Sequence, residues 1–203
     1  MRLYRLPYIA DWLYPQAIFR LKTTENILCL TFDDGPDPES TPGLLDILKR
    51  HKIRAVFFCN GKAAETHPCL VERIKEGGHL IGNHGYHHYN GWVTSSEVYC
   101  TDVNYASQFT SGKLFRPPYG RLRLCQYKKL RKTFRIIFWD LMSYDFDTGF
   151  GAAKSLAILK KKIRPGSIIV LHDKPGSSSI NFLEDLIGMA VDRGYSFLIP
   201  EFR

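Results

Sequence analysis

The chain has 203 residues, the size of one domain with at most a short appendage, and 44% of them are hydrophobic, which is enough for a substantial core. Its formal net charge of +8 raises the question of a nucleic-acid partner. The basic residues are spread over short helical segments, with no arginine-rich arm and no nucleic-acid motif, so a solvated basic surface is favoured, and an anionic polymer or a membrane surface is the weaker alternative.

The N-terminal segment and the cysteines bear on location. Residues 1–20 are apolar and aromatic but are interrupted by charges and prolines, so we expect neither a signal peptide nor a membrane span. Five cysteines, without a Cys-x-x-Cys pair, indicate a reducing compartment and no disulfide framework. We expect a cytoplasmic protein in which residues 1–25 pack on a domain formed by residues 26–203. The residues expected to pack there, rather than lie at a membrane interface, are Trp12, Leu13, Tyr14, Ile18 and Phe19.

Apolar runs that end in turn residues predict strands, and runs with apolar residues at helical spacing predict helices between them. The predicted strands are 27–30, 54–59, 79–83, 113–116, 135–140, 167–171 and 195–199. The predicted helices are 41–51, a helix that follows the break at Asn60 and Gly61 and stops at residues 75–78, 95–109, 122–132, 152–163 and 180–192. This alternation predicts an α/β fold with a parallel sheet and outer helices, a distorted (β/α)7 barrel that is an incomplete TIM-like barrel.

Two adjacent carboxylates, Asp33 and Asp34, end the first predicted strand, where α/β folds place their chemistry. Gly35 and Pro36 stop the strand directly after them. At a strand end that enters a turn, both carboxylates can reach one cleft. Turn chemistry alone is the alternative interpretation.

A histidine cluster, His-Gly-Tyr-His-His, follows the third predicted strand at positions 84–88. The spacing of His84 and His88 predicts that both imidazoles lie on one face of a single helical turn, with His87 pointing away. Together with Asp33 or Asp34 they would form a three-ligand metal site that leaves room for water. A surface turn with coincidental histidines is the alternative.

Three further residues are candidates for acid–base chemistry. A metal ligand and a free carboxylate next to it suit a hydrolase, and Arg116 is a candidate to hold that free carboxylate ionised. His172 ends an apolar strand and is a candidate general acid, which Asp145 could orient and charge. Taken singly, each is explained as well by a surface salt bridge, a strand-end histidine or a turn.

In order and spacing, these stretches resemble the motifs of the polysaccharide deacetylases, carbohydrate esterase family 4 with its NodB homology domain. The resemblance extends from about residue 26 to about residue 199. It implies that Asp33 is the general base and that Asp34, His84 and His88 bind one divalent metal ion, with zinc as the expected metal. It also implies that Arg116 lies against Asp33.

The resemblance implies the remaining roles as well. His172 would be the general acid with Asp145 as its partner, and the Tyr119 amide would face the oxyanion. Phe146 would form a wall of the substrate groove, and Pro118 would bind substrate beside it.

Three positions depart from the family pattern. Gly85 stands where the family has Ser or Thr, Phe146 where it has Trp, and Met142 where many members have Asp. These changes leave the metal ligands and the base in place, and they bear on the substrate and on the rate.

The leading hypothesis is a metal-dependent hydrolase that removes N-acetyl groups from an amino sugar or an N-acetylated glycan. The alternatives are hydrolysis of another non-peptide carbon–nitrogen bond on the same metal site and a degenerate carbohydrate-binding module.

Overall fold

Eight strands and eight helices alternate along residues 3–199, the part of the chain that the computed structural model describes. The strands are β1 (Ile27–Asp33), β2 (Val56–Cys59), β3 (Leu80–Asn83), β4 (Leu114–Phe115), β5 (Arg135–Ile136), β6 (Leu141–Met142), β7 (Ile168–His172) and β8 (Ser196–Phe197). The helices are α1 (Ile9–Leu13), α2 (Thr41–Arg50), α3 (Gly61–Thr66), α4 (Pro68–Glu76), α5 (Ser96–Ala106), α6 (Leu124–Leu130), α7 (Ala152–Lys162) and α8 (Leu183–Asp192). Two short 3₁₀ segments, Pro118–Gly120 and Ser179–Asn181, complete the described elements.

The sheet is parallel, with strand order β5-β4-β3-β2-β1-β7-β6, and β8 pairs with the start of β1. The predicted α/β fold with a parallel sheet is confirmed. Every strand of this path points the same way, so the C-terminal ends of β1, β3, β4 and β7 lie at one end of the sheet.

Strand β1 is buried and central, and its alternating side chains face two different cores. Leu28, Leu30 and Phe32 pack with apolar residues of the outer helices. Cys29 packs on the other side of the sheet, inside the curl, where Thr31 receives a hydrogen bond from Arg116. The same alternation directs Asp33 to the inner side.

Two predicted elements have different bounds. The strand predicted over 135–140 ends at Ile136, because Ile137 pairs with Ile18 of the N-terminal segment and the chain re-enters the sheet only at Leu141. The single helix predicted between Gly61 and residues 75–78 is two helices, and the first of them begins at Gly61 itself. Pro68 disfavours a helical backbone at His67, where φ is −125° and ψ is 58°.

The N-terminal segment lies across the gap between β5 and β6. Ile18 accepts a backbone hydrogen bond from Phe138, and Phe19 stacks on Phe138 with ring centroids 4.8 Å apart. The prediction that Trp12 packs on the domain is wrong, because α1 buries Ala10 and leaves Trp12 76% exposed.

Residues 1–2 of the predicted N-terminal segment and residues 200–203 of the predicted domain lie outside the described residues. Between residues 3 and 199, none of the helices has both the length and the apolar character that crossing a membrane requires. All five cysteines are free, in agreement with the prediction of no disulfide framework.

Candidate active site

Most of the predicted site residues line one cavity of about 360 Å³ at the C-terminal end of the sheet. Its lining includes both carboxylates and three histidines, namely Asp33, Asp34, His84, His88 and His172, with Tyr119 and Phe146 at its rim. Arg116 and Asp145 are fully buried and contact lining residues from behind. Pro118, predicted to bind substrate, is buried and outside the lining, while its neighbour Pro117 is part of it.

Three side chains bring metal-ligating atoms together. One donor atom each of Asp34, His84 and His88 lies within 4.8 Å of the others, and Asp34 Oδ1 is 3.1 Å from His88 Nε2 and 3.5 Å from His84 Nε2. The Nδ1–H of His84 donates to the carbonyl of Arg116 at 2.8 Å, which leaves Nε2 with its lone pair directed to the cluster. Two imidazole nitrogens and one carboxylate oxygen fit a catalytic zinc site with an open position.

The protonation states of these ligands suit a cation. Burial lowers the pKa of His84 to about 4, so the ring is neutral near pH 7. Burial alone would raise the pKa of Asp34, but a hydrogen bond with His88 and electrostatic interactions with the nearby histidines hold that pKa well below its usual range. In addition, Lys174 Nζ lies 2.8 Å from Asp34 Oδ2.

The turn that carries the histidines is not helical, and the predicted helical turn is therefore wrong. Gly85 and His88 have positive φ angles of 74° and 57°, and this bend brings the rings of His84 and His88 to a centroid distance of 5.0 Å. His87 points away from the cluster, as predicted, and its Nδ1 lies 2.6 Å from Asp102.

Two side chains brace this turn where the family has a hydroxyl. Asp102 of α5 accepts hydrogen bonds from the backbone N–H groups of Tyr86 and His87, and Asn83 accepts one from Gly85. At the φ of Gly85 a side chain would be strained, and its Cβ would lie 3.2 Å from Asp102. Gly85 therefore belongs to a differently braced turn.

Asp33 is held by a buried guanidinium. Arg116 Nη1 donates to Asp33 Oδ1 at 2.6 Å and to Thr31 Oγ1 at 2.7 Å, and its Nη2 donates to the carbonyl of Phe138 at 2.9 Å. The guanidinium also lies 4.1 Å from the centroid of the Phe58 ring. These contacts hold the Arg116 side chain in a single position. A buried charge without a partner would destabilise the folded protein.

His172 and Asp145 form the second charged pair. Asp145 accepts from the backbone N–H of His172 at 2.8 Å, and its Oδ1 lies 2.8 Å from His172 Nδ1. Ser143 and Ser177 donate to the same carboxylate. His172 is part of the cavity lining, and its Nε2 is the ring nitrogen that this pair leaves free.

Each partner shifts the pKa of the other. Burial alone would lower the pKa of His172, but the charge and hydrogen bond of Asp145 outweigh it and raise the pKa above its usual value. Burial alone would raise the pKa of Asp145, but the charge and hydrogen bonds of His172 and the serine hydroxyls hold it below its usual value. The contact therefore favours the imidazolium form of His172 and the carboxylate form of Asp145.

Aromatic rings flank the charged groups. The Tyr119 ring packs edge-on against His88 at a centroid distance of 4.6 Å, and Phe146 packs in the same way against His172 at 4.7 Å. Tyr119 has a φ of 59°, and the next residue, Gly120, has no room for a Cβ because Trp139 lies against it.

The sequence did not predict Lys174, Trp139 and Leu3 in the lining, or Asp173 beneath it. Asp173 is fully buried and accepts hydrogen bonds from Ser40 and Thr41, each at 2.6 Å. The position of Lys174 and Asp173 directly after His172 was the one signal available for them.

Comparison with known proteins agrees with this geometry. The family profile described as polysaccharide deacetylase matches residues 20–133, more than half of the chain. A peptidoglycan-N-acetylglucosamine deacetylase of Bacillus cereus is 34% identical over 181 residues, which cover 84% of this chain and 66% of that protein. The chain belongs to the polysaccharide deacetylase family. The family predicted from the motifs is confirmed, and the reaction for which the family is named is the removal of acetyl groups from polysaccharides.

Solved structures resemble this polysaccharide deacetylase over nearly its whole length. The Bc1960 peptidoglycan N-acetylglucosamine deacetylase superposes with a TM-score of 0.87 at 31% identity and covers 95% of this chain and 94% of its own. PdaA of Bacillus subtilis, a family 4 carbohydrate esterase, superposes with a TM-score of 0.82 at 26% identity, covering 94% and 86%. The predicted distorted barrel is confirmed by these neighbours.

One neighbour lacks activity. A family 4 pseudoenzyme from Bacillus anthracis superposes with a TM-score of 0.80 at 25% identity, covering 90% of this chain and 66% of its own. The fold alone therefore does not decide activity. Catalysis depends on the side chains in the cavity.

Proposed function

We propose that this polysaccharide deacetylase hydrolyses the N-acetyl amide of an amino sugar in a glycan, with one zinc ion held by Asp34, His84 and His88. The observation that carries the proposal is the arrangement of two charged pairs around one candidate metal site in a single cavity. Asp33 with Arg116 supplies a carboxylate, and His172 with Asp145 supplies an imidazolium. A degenerate binding module would have no need of both.

Zinc is proposed on the chemistry of the ligands. Two imidazoles with one carboxylate are typical of zinc, whereas magnesium and calcium prefer oxygen ligands throughout. When bound, the ion would polarise the acetyl carbonyl and lower the pKa of the attacking water.

The acid–base steps belong to the protein's own side chains. Asp33 Oδ takes a proton from the attacking water, and the guanidinium of Arg116 holds that carboxylate in position. As the carbon–nitrogen bond breaks, His172 Nε2 gives its proton to the departing amine, so acetate and a free amino sugar are the products. The Tyr119 backbone N–H stabilises the oxyanion by hydrogen bonding.

The proposed substrate is an N-acetylated glycan of the peptidoglycan type. Relatives named as deacetylases of peptidoglycan N-acetylglucosamine and N-acetylmuramic acid support it. Such a substrate requires action outside the membrane, whereas the cytoplasmic location expected from the sequence stays a prediction.

Acetate release tests the proposal. The zinc-loaded protein should release acetate from N-acetylglucosamine oligomers or from peptidoglycan glycan strands, and a chelator should abolish the release. Asp33→Asn, which keeps the size of the side chain, is the matched inactive control. Activity that survives complete metal removal, or the absence of acetate from every N-acetylated glycan tried, would contradict the proposal.

A further inference from the structure

Helix α1 and Tyr8, the residue before it, expose three large apolar side chains. Tyr8, Ile9 and Trp12 are 85%, 60% and 76% exposed, and their spacing of three and four residues places them next to one another. Clustered exposed apolar groups of this kind mark contact sites on soluble domains. None of the three is used by the catalytic cavity.

A second, larger cavity of about 1160 Å³ adjoins this cluster, since Tyr8 is part of its lining. Five basic side chains line it, namely Arg5, Arg20, Lys22, Arg135 and Arg164. Its two carboxylates are Asp11 and Asp140, and Asp140 is already paired with Arg5 and Arg164. The surface beside the apolar cluster is therefore strongly cationic.

This surface lies at the opposite end of the sheet from the active site. The cavity is lined by Ile27 and Arg135, which begin β1 and β5, and by Asp140 and Arg164, which precede β6 and β7. The catalytic residues lie at or beyond the other ends of the strands. We call the surface formed by Tyr8, Ile9 and Trp12 together with Arg20 and Lys22 the docking face.

We propose that the docking face binds a membrane surface that contains anionic lipids. Aromatic side chains favour the membrane–water interface, and basic side chains beside them attract anionic headgroups. A soluble anionic polymer would satisfy the cations but leave Ile9 and Trp12 in water. A symmetric contact between two copies would bring the two sets of cations together.

The consequence is a defined orientation. With the start of the strands towards the bilayer, the catalytic cavity at their other end faces away from the lipid. A glycan lying beyond the membrane surface would then reach the cavity without passing the bilayer. The proposal does not depend on the catalytic function, and its test requires no activity.

Vesicle sedimentation of the full chain tests it. The protein should bind phosphatidylglycerol vesicles and should bind phosphatidylcholine vesicles far more weakly. The double variant Arg20→Glu, Lys22→Glu should weaken binding by at least about fivefold for each cation lost. Raising the salt from about 0.1 M to about 1 M, which shortens the Debye length from about 10 Å to about 3 Å, should weaken it as well.

The apolar part of the docking face has its own variant and a matched control. Ile9→Ala with Trp12→Ala should weaken vesicle binding by about tenfold or more. Trp92→Ala removes another exposed tryptophan, 57% exposed and beside Arg121 of the catalytic cavity, and should leave binding unchanged. Lys49→Glu with Lys52→Glu, two exposed lysines outside the docking face, is the control for charge. Circular dichroism melting curves should show all variants folded.

Four results would overturn the proposal. Two concern the unaltered protein, namely no binding to vesicles and equal binding to the two lipids. The third is a loss of binding in Trp92→Ala that matches the loss in the docking-face variants. The fourth is concentration-dependent self-association that disappears in the variant with Ile9→Ala and Trp12→Ala. The last result would identify the face as a contact between copies of the chain.

Discussion

Asp33 and Asp34 are neighbours in the sequence but contact different side chains. Asp33 continues the alternation of β1 to the inner side and contacts Arg116. Asp34, with a φ of 82°, turns towards His84 and His88. Asp33 is therefore held by a buried guanidinium. Asp34 lies beside two imidazoles, with which it can share a metal ion, and beside the ammonium of Lys174.

These different contacts predict that two isosteric variants lose different properties, one its activity and the other its metal. Asp33→Asn should retain zinc and lose about a hundredfold to ten-thousandfold in kcat, because an amide cannot accept the proton of the attacking water. Asp34→Asn should lose zinc itself, because a neutral amide is a poorer ligand. Metal content of the two purified proteins, measured beside acetate release, checks the assignment. Equal loss of zinc from both would contradict it.

The His172–Asp145 pair predicts a pH dependence. The general acid must be protonated, so kcat/KM should fall as the pH rises through the raised pKa of His172, whose ordinary value is about 6.5. Asp145→Asn keeps an oxygen to accept the Nδ1–H bond but removes the charge. Burial then dominates and lowers the pKa of His172, and the alkaline limb should move to lower pH.

The pH–rate profile of Asp145→Asn beside that of the unaltered protein decides this point. Asp185→Asn, an exposed carboxylate on α8, is the control and should leave the profile unchanged. An alkaline limb that stays in place in Asp145→Asn would mean that Asp145 does not set the pKa of His172.

Among the elements, the loop after β1 depends on a side chain from the end of β7. Asp173 accepts hydrogen bonds from Ser40 and Thr41, and its backbone N–H donates to the carbonyl of Asp33. Its carboxylate lies where a Cβ on Gly35 would be, at 2.2 Å from Oδ2. The close approach requires glycine at position 35 and holds Asp33 and Asp34 in place.

Gly35→Ala should therefore displace Asp173 and destabilise the protein by about 1 to 3 kcal/mol, as overpacking does. Gly188→Ala, within α8, is the matched control. No atom lies within 4 Å of the added Cβ there, and alanine in a helix interior should stabilise by about 0.5 to 1 kcal/mol. Urea unfolding of both variants measures the two free energies. Equal stability of Gly35→Ala and the unaltered protein would show that the loop yields freely.

The sequence predicted those features of the fold that local residue patterns determine. The apolar runs of β1, β2 and β7 and the residues at their ends were recognisable because strand period and turn residues are local signals. The conformation around His84 and His88 was not, because spacing alone cannot distinguish a helical turn from a bend with positive φ at Gly85.

Contacts between distant segments were also beyond the sequence. Asp102 braces the histidine turn from α5, and Ile18 interrupts the strand predicted over 135–140. Both contacts depend on how the sheet curls. The exposure of Trp12 was missed for the same reason, since composition does not say which side of a short helix faces the sheet.

At the scale of the whole molecule, the candidate metal site joins segments that follow two strands of the sheet with a third strand between them. Asp34 follows β1, while His84 and His88 follow β3, and β2 lies between those strands in the sheet. A ligand that binds only the folded chain stabilises it, by about 2.7 kcal/mol when its concentration is a hundred times its Kd. Metal binding should therefore be visible in unfolding, independently of catalysis.

We expect zinc at that excess to raise the Tm of the metal-free protein by about 5 to 10 °C, since about 1 kcal/mol moves the Tm of a domain of this size by about 2 to 4 °C. Magnesium at the same concentration should have little effect, because it prefers oxygen ligands. In the double variant His84→Ala, His88→Ala the zinc shift should disappear, since Asp34 alone cannot hold the ion. Calorimetry of the two proteins with each metal makes the comparison. A zinc shift of full size in the double variant would move the metal site away from these three residues.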